Sequence, residues 1–168
     1  MEKLKNEDIT CDVIRDILDT HNRIRQSIAE GSINAQPPAA NMRELVRRDK
    51  YWDSELAAGA QIWANKCTFA HNHPKEREVE RFEVGQNIGL IRSRRNNTVK
   101  LEFSKHIYNW FDEHKVYQFG PIDNEIIQVA GHYTQLVWAN TYLVGCGYSQ
   151  YKSNNTVFQF FVCHYGPT

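Results

Sequence analysis

The densest grouping of side chains able to do chemistry is one short stretch. Gly131-His132-Tyr133-Thr134-Gln135-Leu136-Val137-Trp138-Ala139-Asn140 puts a histidine directly after a glycine and ahead of aromatic and amide side chains. Gly145-Cys146-Gly147 follows closely. Glycine lets the backbone pass close to a neighbour or take positive φ, so the imidazole can be aimed. Tyr133 and Trp138 add apolar rings with one polar handle each. His71 and His73 form an HxH pair, which alone is a weak pointer to a metal. No HExxH helix, GxSxG elbow or P-loop is present, so the chemistries those motifs support have no foothold in the sequence.

Composition narrows the classes further. The 168 residues suit one domain with a real core. Lys+Arg and Asp+Glu both number 20, so the formal charge is zero. That balance argues against a nucleic acid partner. No apolar run approaches the roughly 20 residues that cross a bilayer. Four cysteines, Cys11, Cys67, Cys146 and Cys163, lie outside any CxxC unit, which disfavours a zinc ribbon or thioredoxin-like motif. An even count permits two disulfides in three pairings. Free thiols in a cytosolic protein are the competing reading, and the charged stretch Met1 to Thr10 carries no signal-peptide core. Asn96-Asn97-Thr98 and Asn154-Asn155-Thr156 are glycosylation sequons, a pattern that also arises by chance.

These residues need elements to position them. Asp12 to Glu30 reads as an amphipathic helix, with Val13, Ile14, Ile17, Leu18, His21, Ile24 and Ile28 at helical spacing and Gly31 as a stop. Pro37 and Pro38 make the next segment an extended loop. Ser54 to about Phe69 reads as a second helix, and about Thr98 to Lys115 as a third. Val84 to Ile91, with two glycines, reads as a strand with a bend. Leu143 to Tyr151 and Val157 to His164 read as strands joined by the polar turn Lys152 to Thr156. Apolar residues on both faces of the last strand predict cover on both sides, and the hairpin brings Cys146 towards Cys163. The expected fold is α+β, an antiparallel sheet between helices.

Several segments, in order, resemble the CAP superfamily of cysteine-rich secretory, antigen 5 and pathogenesis-related proteins. They are His21-Asn22-Arg23-Ile24-Arg25, Trp63 to His71, Gly85-Gln86-Asn87-Ile88-Gly89, the stretch from Gly131 to Asn140, and Phe161 to Pro167. Gln36 to Met42 and Gly85-Gln86-Asn87 are most similar to the arthropod antigen 5 branch of venoms and saliva. The resemblance implies a three-layer α-β-α sandwich, with residues 1–10 an N-terminal extension and residues 11–168 a single CAP domain. It also implies secretion and the disulfides Cys11–Cys67 and Cys146–Cys163. The chain has fewer N-terminal cysteines than antigen 5 proteins carry, and it lacks the extra cysteine-rich domain of the secretory-protein branch.

The CAP cavity is lined by two histidines and two acids, and the matching positions here are His71, His132, Glu113 and Gln86. Gln86 stands where an acid is common, and an amide neither acts as a general base nor brings negative charge. Two imidazoles and a carboxylate suit zinc, so the resemblance implies a cleft able to bind a divalent cation, with no cofactor required. His21 is expected to be structural. The expected function is that of a secreted, non-enzymatic binding protein for a small hydrophobic ligand: a fatty acid, eicosanoid or sterol. A metal-dependent hydrolase and a protein-interaction or allergen module acting on host proteins are the alternatives. A monomer or weak dimer is expected.

Overall fold

The computed structural model describes residues 2–4, 9–34, 36–45, 52–94 and 101–168. Helix α1 spans Cys11–Ala29, and the Thr10 side chain accepts from the Val13 N–H at its start. Its stripe of Ile17, Leu18, Ile24 and Ile28 is buried, and it stops ahead of Gly31, which takes φ 69°. Helix α2 spans Ser54–Asn65, with the Asp53 carboxylate capping the Leu56 N–H at 2.9 Å. It ends before the expected Phe69 because Cys67 turns left-handed, at φ 53°. Strand β2 is Gly85–Ser93, helix α3 is Phe103–Phe111, and a 3-10 turn at Asp112–Lys115 continues it. Helix α4 is Asn124–Leu136, and strands β3 (Leu143–Ser153) and β4 (Thr156–Gly166) close the chain. The sequon at Asn96 and the expected start of the third helix at Thr98 lie outside the described residues.

The strands form one antiparallel sheet in the order β1-β3-β4-β2, where β1 is the short Glu2–Lys3. Residues 2–3 of the expected N-terminal extension thus join the sheet, pairing with Lys152 and Tyr151. Side chains alternate between faces with period two. Val144, Cys146, Tyr148, Phe161, Cys163 and Tyr165 pack with α1 and α3. Tyr151, Phe160 and Val162 pack with Ala60, Trp63 and Ala64 of α2 on the other face. This is the expected α-β-α sandwich: α1, α3 and α4 form one helical layer and α2 the other. Gly145 and Gly147 let α2 rest on β3. A Cβ at Gly145 would lie 2.2 Å from the Ala57 nitrogen, and one at Gly147 2.4 Å from the Gln61 Cα.

Two expectations need correction. The stretch from Gly131 to Leu136 belongs to a fourth helix, α4, which the sequence reading did not contain. Its local signals are mixed. Asp123 caps Ile126, but Val129, Tyr133 and Thr134 are weak helix formers, and Ala130 leaves helical geometry at φ −142°. The second correction concerns the disulfides. Cys146 and Cys163 sit opposite each other in the β3–β4 register and are bonded. Cys11 and Cys67 are both free. Cys11 opens α1 in one helical layer, whereas Cys67 follows α2 in the other, so the sheet separates the two elements.

Candidate functional site

The structure brings the four expected cleft residues together from four segments. Gln86 is on β2, directly opposite His164 of β4 in the register. His71 lies in the loop after α2, Glu113 in the turn after α3, and His132 on α4. The His71 and His132 rings are 6.5 Å apart between centroids. Each is oriented through Nδ1. His71 Nδ1–H donates to Gln86 Oε1 at 2.7 Å, and His132 Nδ1–H donates to Glu113 Oε1 at 2.6 Å. The second Glu113 oxygen accepts from the Tyr133 N–H at 3.0 Å, and Trp110 stacks on the His132 ring. A carboxylate behind an imidazole fixes its tautomer and leaves Nε2 as the free ring nitrogen.

Gln86 is the hinge of a second network that the sequence reading did not reach. Its Nε2 donates to Asn72 Oδ1 at 3.0 Å and to His164 Nε2 at 3.1 Å. His164 must therefore be neutral, and burial, aided by the nearby Arg77 charge, pushes its pKa down to about 4. Arg77 donates from Nε to the Val84 carbonyl, and from Nη1 to both the carbonyl and the side chain of Asn72. Burial also lowers the His71 pKa; the hydrogen bond to Gln86 opposes this, and His132 and Arg77 reinforce it. His164 had a sequence signal, since it sits in the closing motif. Arg77 and Asn72 had none. His21 is structural: Nδ1–H donates to the Ile17 carbonyl at 2.8 Å and Nε2 accepts from the Tyr165 hydroxyl at 2.9 Å.

Two depressions flank α4. The cleft adjoins, at Gln86, a depression of about 1070 Å³ between the 74–86 segment and α4, lined by Arg77, Phe82, Gln86, Ile127, Gly131 and Gln135 among others but not by His71, Glu113 or His132. A second groove, about 490 Å³, lies between α1, α4 and the 36–42 segment. Its walls are mostly apolar: Ile28, Pro37, Pro38, Met42, Phe119 and Val137. Ile122, Thr134 and Trp138 line both depressions, so the two adjoin. Arg25 of α1, only 2% exposed, ties the segment that carries the groove-lining Met42 to the end of α4. Its guanidinium donates to the carbonyls of Arg43, Leu136, Trp138 and Thr141 at 2.6–3.0 Å.

Residues 18–165 match the cysteine-rich secretory protein (CAP) family. The chain belongs to that family. It is 40% identical to a venom allergen 5 of Vespula maculifrons over 99% of this chain and 80% of the relative. Against another venom allergen 5 from the same wasp it is 39% identical over 92% of this chain, and it spans 66% of that relative's length. The fold is similar to the crystal structure of NaASP2 with Zn2+, at 26% identity and a TM-score of 0.73, covering 94% of this chain and 80% of that one. The CAP assignment stands on both sequence and fold, and its antigen 5-like character on the sequence relatives. Among the described residues no helix is long and apolar enough to cross a membrane.

The cleft's donor set limits how a CAP-type metal would be held. Among the described residues no group of three His, Cys, Asp or Glu side chains is arranged to hold an ion. Both Glu113 oxygens are engaged, so Glu113 orients His132 and is not a free ligand. That leaves His71 and His132, 6.5 Å apart between ring centroids, as the two side chains whose free ring nitrogens could face an ion.

Proposed function

We propose that this CAP protein is extracellular and non-enzymatic, and sequesters a small hydrophobic ligand: a fatty acid, eicosanoid or sterol. The observation that carries this reading is the apolar groove beside α4. A cavity of this size and lining suits an apolar chain or ring system, since burial of apolar surface supplies most of the binding energy. The His71–His132 pair of the cleft is proposed to take a divalent cation, with zinc the candidate; the relative NaASP2, crystallised with Zn2+, supports it. Bound there, zinc would supply a Lewis acid, and Gln86 and Glu113 would hold the two imidazoles in place. Host proteins remain the expected partners of an allergen-like surface.

The test is a fluorescent fatty-acid and sterol binding assay, run beside a protease and esterase panel. Phe119 is 63% exposed and lines the groove, so Phe119→Ser trims apolar wall at little cost to the core. Ligand affinity is expected to fall roughly threefold to tenfold in that variant. The double variant His71→Ala/His132→Ala is expected to lose zinc binding by calorimetry while still unfolding cooperatively. Turnover in the wild type that vanishes with His71 and His132, without lipid binding, would establish the hydrolase instead.

A further inference from the structure

Among the described residues, the depression beside α4 holds a cation with no counter-ion. Arg77 is half-buried and lines this depression. Its three hydrogen bonds all go to neutral oxygens, of Val84 and Asn72. They use Nε and Nη1, and among the described residues Nη2 has no hydrogen-bond partner. Among the described residues no carboxylate pairs with it. The other arginine of the same segment is different: Arg81 is satisfied by Asp53 and Glu55 at 2.8 and 2.7 Å. Glu78, Glu80 and Glu83 also line the depression, but all three are exposed and none reaches Arg77. Gln86 sharpens the point. It shares the Asn72 Oδ1 acceptor with Arg77, so the two side chains converge. An acid at that position would neutralise the guanidinium; the amide does not.

A guanidinium pinned along one edge and open along the other is a preorganised anion donor, and Arg presents its donors to a carboxylate with fixed geometry. The adjoining groove supplies the apolar half. Ile122, Thr134 and Trp138 belong to both depressions, so a flexible chain laid in the groove can carry its end across them into the depression that holds Arg77.

We infer that the ligand is an anionic amphiphile, a long-chain carboxylate, whose tail lies in the apolar groove and whose head is held by Arg77 in the adjoining depression. This rests on the sequestration reading above and narrows it: a charged head is selected over a hydroxyl, which sets fatty acids and eicosanoids above sterols. The chemistry is that of a single extended molecule, not two separate sites.

The experiment displaces the neutral fluorophore 1-aminoanthracene with hexadecanoate and with hexadecanol, in chelator to remove metal. The wild type is expected to prefer the carboxylate by roughly tenfold or more, the scale of a charge-assisted hydrogen bond. Arg77→Gln removes the cation, and Gln86→Glu leaves Arg77 in place but sets a negative charge beside it. In both variants the ratio of the two affinities should fall to near unity, with folding checked by cooperative unfolding. Acetate should not displace the fluorophore or hexadecanoate. Equal wild-type affinities for acid and alcohol, or a preference that survives both variants, would overturn the assignment to Arg77 while leaving the groove intact. Displacement of hexadecanoate by acetate would show a site for free anions and overturn the spanning ligand. Failure of both amphiphiles to bind would remove the groove reading as well.

Discussion

His106 shows what burial costs a single side chain. It is 2% exposed on α3, tilted against Phe161, and its Nε2 has no hydrogen-bond partner. Burial, reinforced by Lys105, pushes its pKa down to about 4. An orphaned buried polar atom costs roughly 1–3 kcal/mol. His106→Phe removes both the orphan and the proton site, so it is expected to stabilise by roughly 1 kcal/mol near neutral pH, and by more at about pH 5. Urea unfolding at both pH values measures this, and a destabilised variant at both would show that the ring's shape outweighs its polarity. The same scale shows why the cleft was only half legible. His71, His132, Glu113 and Gln86 were found by family resemblance, since their spacing in the chain carries no pattern. His164, although it lies in the closing motif, joins them only through the β2–β4 register, and Asn72 and Arg77 join through bonds that no local sequence pattern announces.

Among the elements, α2 on β3 is the tightest junction. Helix backbone meets strand backbone at Gly145 and Gly147, where no Cβ intervenes. At Gly147 the obstacle is the Gln61 main chain, which no rotamer change can move. Gly147→Ala is therefore expected to cost roughly 3 kcal/mol, at the high end of overpacking. The effect should concentrate in α2: hydrogen exchange of the α2 amides should accelerate more than that of α1. Uniform acceleration would mean that the two helical layers open together. Elements with a clean apolar period, α1, β3 and β4, were legible from sequence to within a few residues. Helix α4 was not. Its residues were read as a site, and weak helix formers hid the periodicity that tertiary packing enforces. The Cys11–Cys67 expectation failed for a related reason: family pattern supplied the pair, and the layering of α1 and α2 across the sheet set it apart.

At the scale of the whole molecule, three buried histidines span the sandwich. His21 is on α1, His106 on α3, and His164 on β4 facing α2. Desolvation is the leading cause in each case, and each pKa is lowered from 6.5 to about 4. A depressed imidazole binds its proton more weakly when folded than when unfolded. Stability is then fully present above the unfolded value, falls as pH drops from 6.5 towards 4, and changes no further from this source below 4. A shift of this size is worth roughly 3 kcal/mol per group. The expected outcome is a melting temperature that is flat above about pH 7 and drops steeply below about pH 6. Calorimetry across that range checks it, and a melting temperature independent of pH would exclude protonation of these rings as the acid-sensitive event. Because the three lie in both layers, acid should loosen the molecule as a unit and not one layer first.

Arg25 has a consequence for how such a protein diversifies. It ties Arg43, next to the groove-lining Met42, to Leu136, Trp138 and Thr141 at the end of α4, and every one of these hydrogen bonds goes to a main-chain carbonyl. A carbonyl is the same whatever side chain its residue carries. The frame of the groove is thus uncoupled from the identity of its lining. Substitutions at Met42, Phe119 or Val137 can alter the shape and polarity of the groove without removing these hydrogen bonds. The lining of the groove can in this way change by point mutation alone, while the hydrogen bonds that frame it stay as they are.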